Sequence, residues 1–474
     1  MLATPLEAAD YTRLSTPEEM AGYLAHLAAR TPGAELWPLG HSAGGRALTA
    51  LRVPARDARV PPLRVLLVGS QHGASEAAGG EALLWLAREL TALAADDVRA
   101  SLEFVIFPDA NPDGRALDSA RNADEVNINR DFVLLTQPES RALDTLLREF
   151  TPEVVLDAHE SASLKQKSLA REGYMTAFET QFDCANNPGI PAALRRYAEH
   201  ELLPVLLARV AAAGVAAQRY VREILSLSQV ATHGGLGARK FRNRAGLSGA
   251  LAFLLETPMD PKHGRYPSYR NIAVRVARQL QAQRVFIATV AERRVAVQRL
   301  LAAHRMSVEP LILSACYGER APGALLHLPM RRIADGEVQT LAFADHRRVV
   351  DGAAIPLPAS YWVTAHQAGM ARLLEQHGFP YEVLRAAAVR HGRVAGQSPG
   401  GEPRTMTVPA GSLHVPVRGP RARLLALLLE AGSSSSVFGY PTFARLLSAA
   451  GEGFVLADVA QMPSGLGDSR WLEA

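Results

Sequence analysis

A chain of 474 residues exceeds what one hydrophobic core usually organises, so two domains are expected. With 48% apolar and 21% charged residues, and a mean hydropathy of zero, the composition excludes a disordered or fibrous protein. Fifty-one basic against 47 acidic side chains leave a formal charge of only +4, and the bases, mostly arginine, are scattered along helical stretches, which argues against a nucleic-acid-binding stripe.

The first thirty residues lack the basic start and apolar stretch of a secretory signal, so a cytoplasmic location is expected, or a periplasmic one if a leader has been removed. Residues 16–29 predict a helix, opened by Thr16 and two early glutamates. The apolar run 63–68 followed by helical periodicity over 79–93 begins a strand, loop, helix unit. Short apolar runs recur at 102–108, 154–156 and 250–255, separated by helical or loop segments. Together they predict an α/β fold whose sheet is mostly parallel and flanked by helices, with ligands at the strand ends. The longest apolar run, 202–217, is interrupted by Arg209 and is shorter than the roughly 20 residues a membrane span needs, so no membrane contact is expected. A helical stretch over 269–304 closes a first domain, 1–305. Beyond it short runs near 311–314, 325–328 and 406–408 alternate with Gly and Pro, and helices are expected near 365–377 and 420–430. These predict a smaller α/β or β-rich domain, 306–474, with flexible loops at 396–404 and 432–436.

Cys184 and Cys316 are far apart and form no Cys-x-x-Cys pattern, so any metal must be held by nitrogen and oxygen. Four polar constellations follow the apolar runs. Gln71-His72-Gly73-Ala74-Ser75-Glu76 puts an imidazole and a carboxylate on one loop, both suitable for zinc. Asp157-Ala158-His159-Glu160 offers a second imidazole from another strand, enough for a three-ligand site that keeps a position open. Between them, Asn111-Pro112-Asp113-Gly114, Arg121-Asn122 and Asn127-Ile128-Asn129-Arg130-Asp131-Phe132 bring guanidinium groups suited to a carboxylate or an oxyanion. Glu256, ending the apolar run 250–255, is a carboxylate that desolvation would tune toward general-base work.

In this order and with these residue types the chain resembles the zinc carboxypeptidases, the carboxypeptidase A-like metallopeptidases, over about residues 10–300; a later stretch, 407–412, resembles the accessory domain of bacterial members. The resemblance implies one zinc ion bound by His72, Glu76 and His159, with Glu256 as base and proton shuttle. It further implies Arg121 polarising the scissile carbonyl, and Asn129 with Arg130 gripping the terminal carboxylate of a peptide or small amide substrate. Asn127 stands where many members have an Asp that orients the first His. Two departures stand out. Three residues, Gly73, Ala74 and Ser75, separate His72 from Glu76 where the family has two, expected to form a bulge. No Tyr occurs over 232–249, where the digestive members carry one; His233, Arg239, Arg242 and Asn243 are candidate substitutes.

Three other readings stay open. Gly40-His41-Ser42-Ala43-Gly44 fits the Gly-x-Ser-x-Gly elbow of serine hydrolases, although the flanking runs read as strands and not as the strand and helix that elbow needs. A zinc-dependent deacylase or amidase would keep the metal and change the bond cleaved. A metal-free binding protein would keep only the fold.

Overall fold

The computed structural model describes residues 2–57, 59–92, 96–163, 168–259, 270–395, 402–449 and 454–458. Two units emerge, one comprising Met1–Ser307 with Ala315–Gly352, the other Val308–Ser314 with Ala353–Ala474. The boundary expected between 305 and 306 is thus crossed, because residues 315–352 return to the first unit. The physical reason is alternation: Leu328, Met330 and Phe343 of this segment are buried in one cluster with Leu169, Phe178, Val221 and Ile224.

In the first unit the N-terminal helix α1 (Pro17–Arg30) is opened as expected. Thr16 Oγ1 accepts from the Glu19 amide while Glu19 accepts from the Thr16 amide, and Met20, Tyr23, Leu24 and Leu27 form its buried stripe. An eight-stranded sheet follows, built from β1 (Glu35–His41), β2 (Ala47–Val53), β3 (Leu63–Gly69), β4 (Leu102–Phe107), β5 (Val154–Ala162), β6 (Thr180–Cys184), β7 (Ala217–Arg219) and β8 (Leu251–Met259). Its order is β1-β2-β4-β3-β5-β8-β6-β7, and the central strands β4, β3, β5 and β8 are mutually parallel. Helix α2 (Ala78–Thr91) follows β3, α3 (Pro138–Glu149) precedes β5, and α4 (Ile272–Glu292) packs on α2. The central strands are buried almost throughout, which is why they read as continuous apolar runs. The chain leaves β3 to one side for β4 and returns to its other side for β5, so the strand order reverses beside β3.

Tyr269 and residues 396–401, where a helix start and a loop were expected, lie outside the described residues; Arg404 itself opens a strand, Arg404–Val408. The second unit carries a six-stranded antiparallel sheet and the expected helices, as Gln367–Gln376 and Ala422–Leu429. The stretch 432–436, expected to be flexible, is instead fixed: Ser433, Ser435 and Ser436 are buried, and the Ser434 amide donates to the Leu313 carbonyl. Among the described residues no helix is long and apolar enough to cross a membrane.

Candidate metal centre

Strand register brings the distant constellations together. Gly69 of β3 lies opposite Ala158 of β5, and His159 lies opposite Glu256 of β8. His159 and Glu256 therefore sit inside strands that continue to Ala162 and Met259, not after their ends as the apolar runs suggested. Beyond β3 the backbone turns at Ser70, which takes a φ of +54°, and at Gly73, with a φ of +51°. A Cβ at Gly73 would come 2.3 Å from the Gly114 carbonyl carbon, so the lengthened loop is seated against the Asn-Pro-Asp-Gly turn and only glycine fits there. His72 to Glu76 then run through one short 3₁₀ turn, Gly73–Glu76, which carries Glu76 back beside His72.

The result is a cluster in which one ligand atom from each of His72, Glu76 and His159 lies within 4.8 Å of the others. Glu76 is central: its Oε1 is 2.8 Å from His72 Nδ1 and its Oε2 is 2.8 Å from His159 Nδ1. The far ring nitrogens are held from outside. His72 Nε2 lies 3.2 Å from Asn127 Oδ1, and His159 Nε2 lies 2.9 Å from Asp157 Oδ1. Both outer partners are acceptors and suit a hydrogen on each Nε2, so that each Nδ1 can offer a lone pair to a metal once His159 gives up the proton it shares with Glu76, as metal-binding histidines do. Among the described residues His72 Nδ1 makes no hydrogen bond despite its closeness to Glu76, an orphaned buried nitrogen facing a carboxylate oxygen. A divalent cation between them would resolve that contact, and the donor set of two imidazoles and a carboxylate fits zinc.

The electrostatics agree. Burial alone would raise Glu76, but His72 and His159 outweigh it and hold the carboxylate well below its usual range. Burial would lower His159, but Asp157 and Glu76 outweigh it and raise the imidazole well above its ordinary value. A proton on His159 is therefore what a metal ion has to displace.

Glu256 faces the same cavity, of about 240 Å³, and its Oε2 is buried without a hydrogen-bond partner among the described residues. Burial, then the charge of Glu76, pushes it up to about 8. Among the described residues Arg130, Lys240 and Arg242 also line this cavity. Arg242 is tied to buried Asp183 at 3.0 Å, whereas burial and the neighbouring Arg242 and Arg130 depress Lys240 to about 8.

Other expected site residues fall elsewhere. Arg121 is exposed, donates to the Glu125 carbonyl at 2.6 Å, and does not line the cavity, so its assignment to the scissile carbonyl is not supported by its position. The two-residue turn after Asn122 folds Arg121 outward, since Asn122 is buried and bound to Gln137 and Glu139 in its place. Asn129 lines the cavity but is occupied: its Oδ1 accepts from the Phe241 amide at 2.9 Å and its Nδ2 faces His159 at 3.3 Å. Of the candidate substitutes for a tyrosine, Arg242 lines the cavity, Asn243 is buried with its Oδ1 accepting from the Asn186 amide, and His233 and Arg239 do not line it. Tyr220 does line it, just beyond β7 and outside the stretch where a tyrosine was sought; the signal that would have found it is its place after a strand. Ser42 sits in the turn of the β1–β2 hairpin, its hydroxyl donating to Asp113 at 2.8 Å, an arrangement unlike a nucleophile elbow. Asp113 also accepts from the Gly44 amide and Arg46, so the Asn-Pro-Asp-Gly turn clamps that hairpin.

Comparison with known proteins matches residues 20–153 to the family described as zinc carboxypeptidase. This stretch is similar to a zinc carboxypeptidase domain. The stretch holds β1 to β4, the His72–Glu76 loop and the Asn127–Arg130 segment, while His159 and Glu256 lie beyond it. Carboxypeptidase 2 of Trichophyton rubrum is 27% identical over 254 residues, 51% of this chain and 46% of that protein. Probable carboxypeptidase 2 of Arthroderma benhamiae is 29% identical over 199 residues, 41% of this chain and 38% of that protein. The chain thus spans less than half the length of these curated relatives. Among solved structures, a metallo-carboxypeptidase from Pseudomonas aeruginosa in complex with (2-guanidinoethylmercapto)succinic acid is similar at 20% identity and a TM-score of 0.46, covering 60% of this chain and 70% of that one. One from Burkholderia cenocepacia is similar at 16% identity and a TM-score of 0.46, with the same coverage.

Proposed function

We propose that this chain is a zinc-dependent metallocarboxypeptidase that hydrolyses the C-terminal peptide bond of a peptide substrate, with His72, Glu76 and His159 holding the ion. The observation that carries the reading is the pair of imidazoles whose outer nitrogens are engaged by Asn127 and Asp157, leaving both Nδ1 atoms directed at one carboxylate. A zinc ion held there supplies a Lewis acid for the scissile carbonyl and acidifies a water toward neutral pH.

The chain's own residues do the rest. Glu256, unpaired at Oε2 and opposite His159, takes the proton from the attacking water and returns it to the leaving nitrogen. Arg130 and Lys240 give the free carboxylate of the substrate its counter-charge, which favours the last residue over internal bonds. Asn129 serves as a positioning residue, since its amide is fixed between Phe241 and His159.

The test is Glu256→Gln assayed on peptides with free and with blocked C-termini. The reading expects zinc retained and turnover lost by a factor on the order of 10³, with free ends preferred by the parent. Turnover surviving in the variant would overturn the base, and preference for blocked ends would favour a deacylase or amidase.

A further inference from the structure

A second cavity of about 420 Å³ lies in the first unit, and it shares no lining residue with the candidate metal centre. Its lining gathers six arginines from three separate stretches: Arg195 and Arg196 on the helix Ala192–Arg196, Arg219 at the end of β7, and Arg320, Arg347 and Arg348 from the returning segment. Glu199 is the single acid among the lining residues, and it accepts from Arg219 at 2.6 Å. Two buried carboxylates stand behind the wall: Asp183 pairs with Arg219 at 3.2 Å, and Asp345 is clasped by Arg347 at 2.7 and 2.8 Å with Arg320 at 3.9 Å. Asp183 is moreover shared with Arg242 of the first cavity. Arg195 and Arg348 direct their Nε–H groups to the carbonyls of Ile190 and Glu319, at 3.2 and 2.9 Å, and so engage no carboxylate with them.

Among the described residues three carboxylates pair with these six guanidinium groups, so positive charge predominates in the wall. Like charges gathered in a concave wall repel one another, and the field they focus into it attracts an anion. Guanidinium forks reaching in from three sides suit the tetrahedral oxygens of phosphate better than one planar carboxylate. The volume is in the range of small-molecule sites and exceeds what a single phosphate fills.

We propose that this cavity binds a small polyanion carrying two or more phosphate groups. The site is independent of the proposed peptidase reaction. Pyrophosphate titrated calorimetrically into the 474-residue chain at physiological ionic strength is the direct test, since screening there removes diffuse attraction. Saturable binding at one site is expected, weakened at least tenfold by the double variant Arg196→Glu, Arg348→Glu, whose two arginines are exposed and dispensable to the core. The exposed Arg30→Glu, which changes charge elsewhere, should leave the affinity unchanged, and so should His72→Ala, which separates this site from the metal centre. Absent saturation, binding undiminished in the double variant, loss of binding in His72→Ala, or equal affinity for citrate would each overturn the proposal.

Discussion

Each unit holds a buried acid, Glu430 in the second and Glu256 in the first, and the two are satisfied in opposite ways. In the second, Glu430 accepts from Tyr361 at 2.8 Å and from Arg393, one oxygen at 2.9 Å, so that a buried acid, phenol and guanidinium satisfy each other. In the first, His72 Nδ1 and Glu256 Oε2 are buried beside their neighbours yet make no hydrogen bond among the described residues. A closed network stabilises and specifies a core, whereas buried polar atoms left open cost stability and persist where something else is to be bound. The contrast marks the cavity beside β3, β5 and β8 as a place for chemistry.

The contrast can be broken first through pH. Glu256 is raised by burial to about 8 from an ordinary 4.5, so the metal-free folded state keeps a proton that the unfolded chain gives up. A raised folded value contributes stability that is complete below 4.5 and is lost as pH climbs through about 8. Thermal melts of the metal-free protein should show Glu256→Gln no more stable than the parent below pH 4.5, gaining on it as pH rises, and more stable by several kcal/mol above about 8. Equal slopes for both proteins would remove Glu256 from the account. Next comes the closed network: Glu430→Gln strands Arg393 and should lower denaturant stability by about 3 kcal/mol. A neutral result there would mean the network is not what its geometry implies.

Smaller effects sharpen the picture around the metal centre. Asn127→Ala removes the acceptor for His72 Nε2 and should weaken zinc affinity roughly tenfold in a chelator competition. Unchanged affinity would show that His72 is oriented by other contacts. The smallest effect belongs to Arg121→Ala, expected to change kcat/KM less than about threefold because an exposed side chain away from the cavity is lost. A loss of two orders of magnitude would restore Arg121 to the reaction and imply that its loop closes over the substrate.

Much of this was legible in the chain itself, and for identifiable reasons. Strands buried on both faces read as unbroken apolar runs, so β3, β4, β5 and β8 could be seen, as could the capped helix α1. His72, Glu76, His159 and Glu256 were visible because each adjoins such a run. Positions governed by tertiary packing were not. The direction of Arg121 is decided by which of it and Asn122 the turn buries. Lys240 and Tyr220 reach the cavity from loops without periodicity, and residues 315–352 return to the first unit through a cluster whose partners lie some hundred or more positions away. The serine-rich stretch 432–436 looks mobile by composition but is pinned by backbone bonds no composition reveals.

The central claim is that His72 and Glu76, from the loop after β3, and His159, from within β5, hold one divalent ion. Elemental analysis of the chain equilibrated with trace zinc and then dialysed tests it most directly. One zinc per chain in the parent, and none retained by His72→Ala or His159→Ala, is the predicted result; a parent without stoichiometric zinc, or a His159→Ala variant that keeps its full complement, would contradict it.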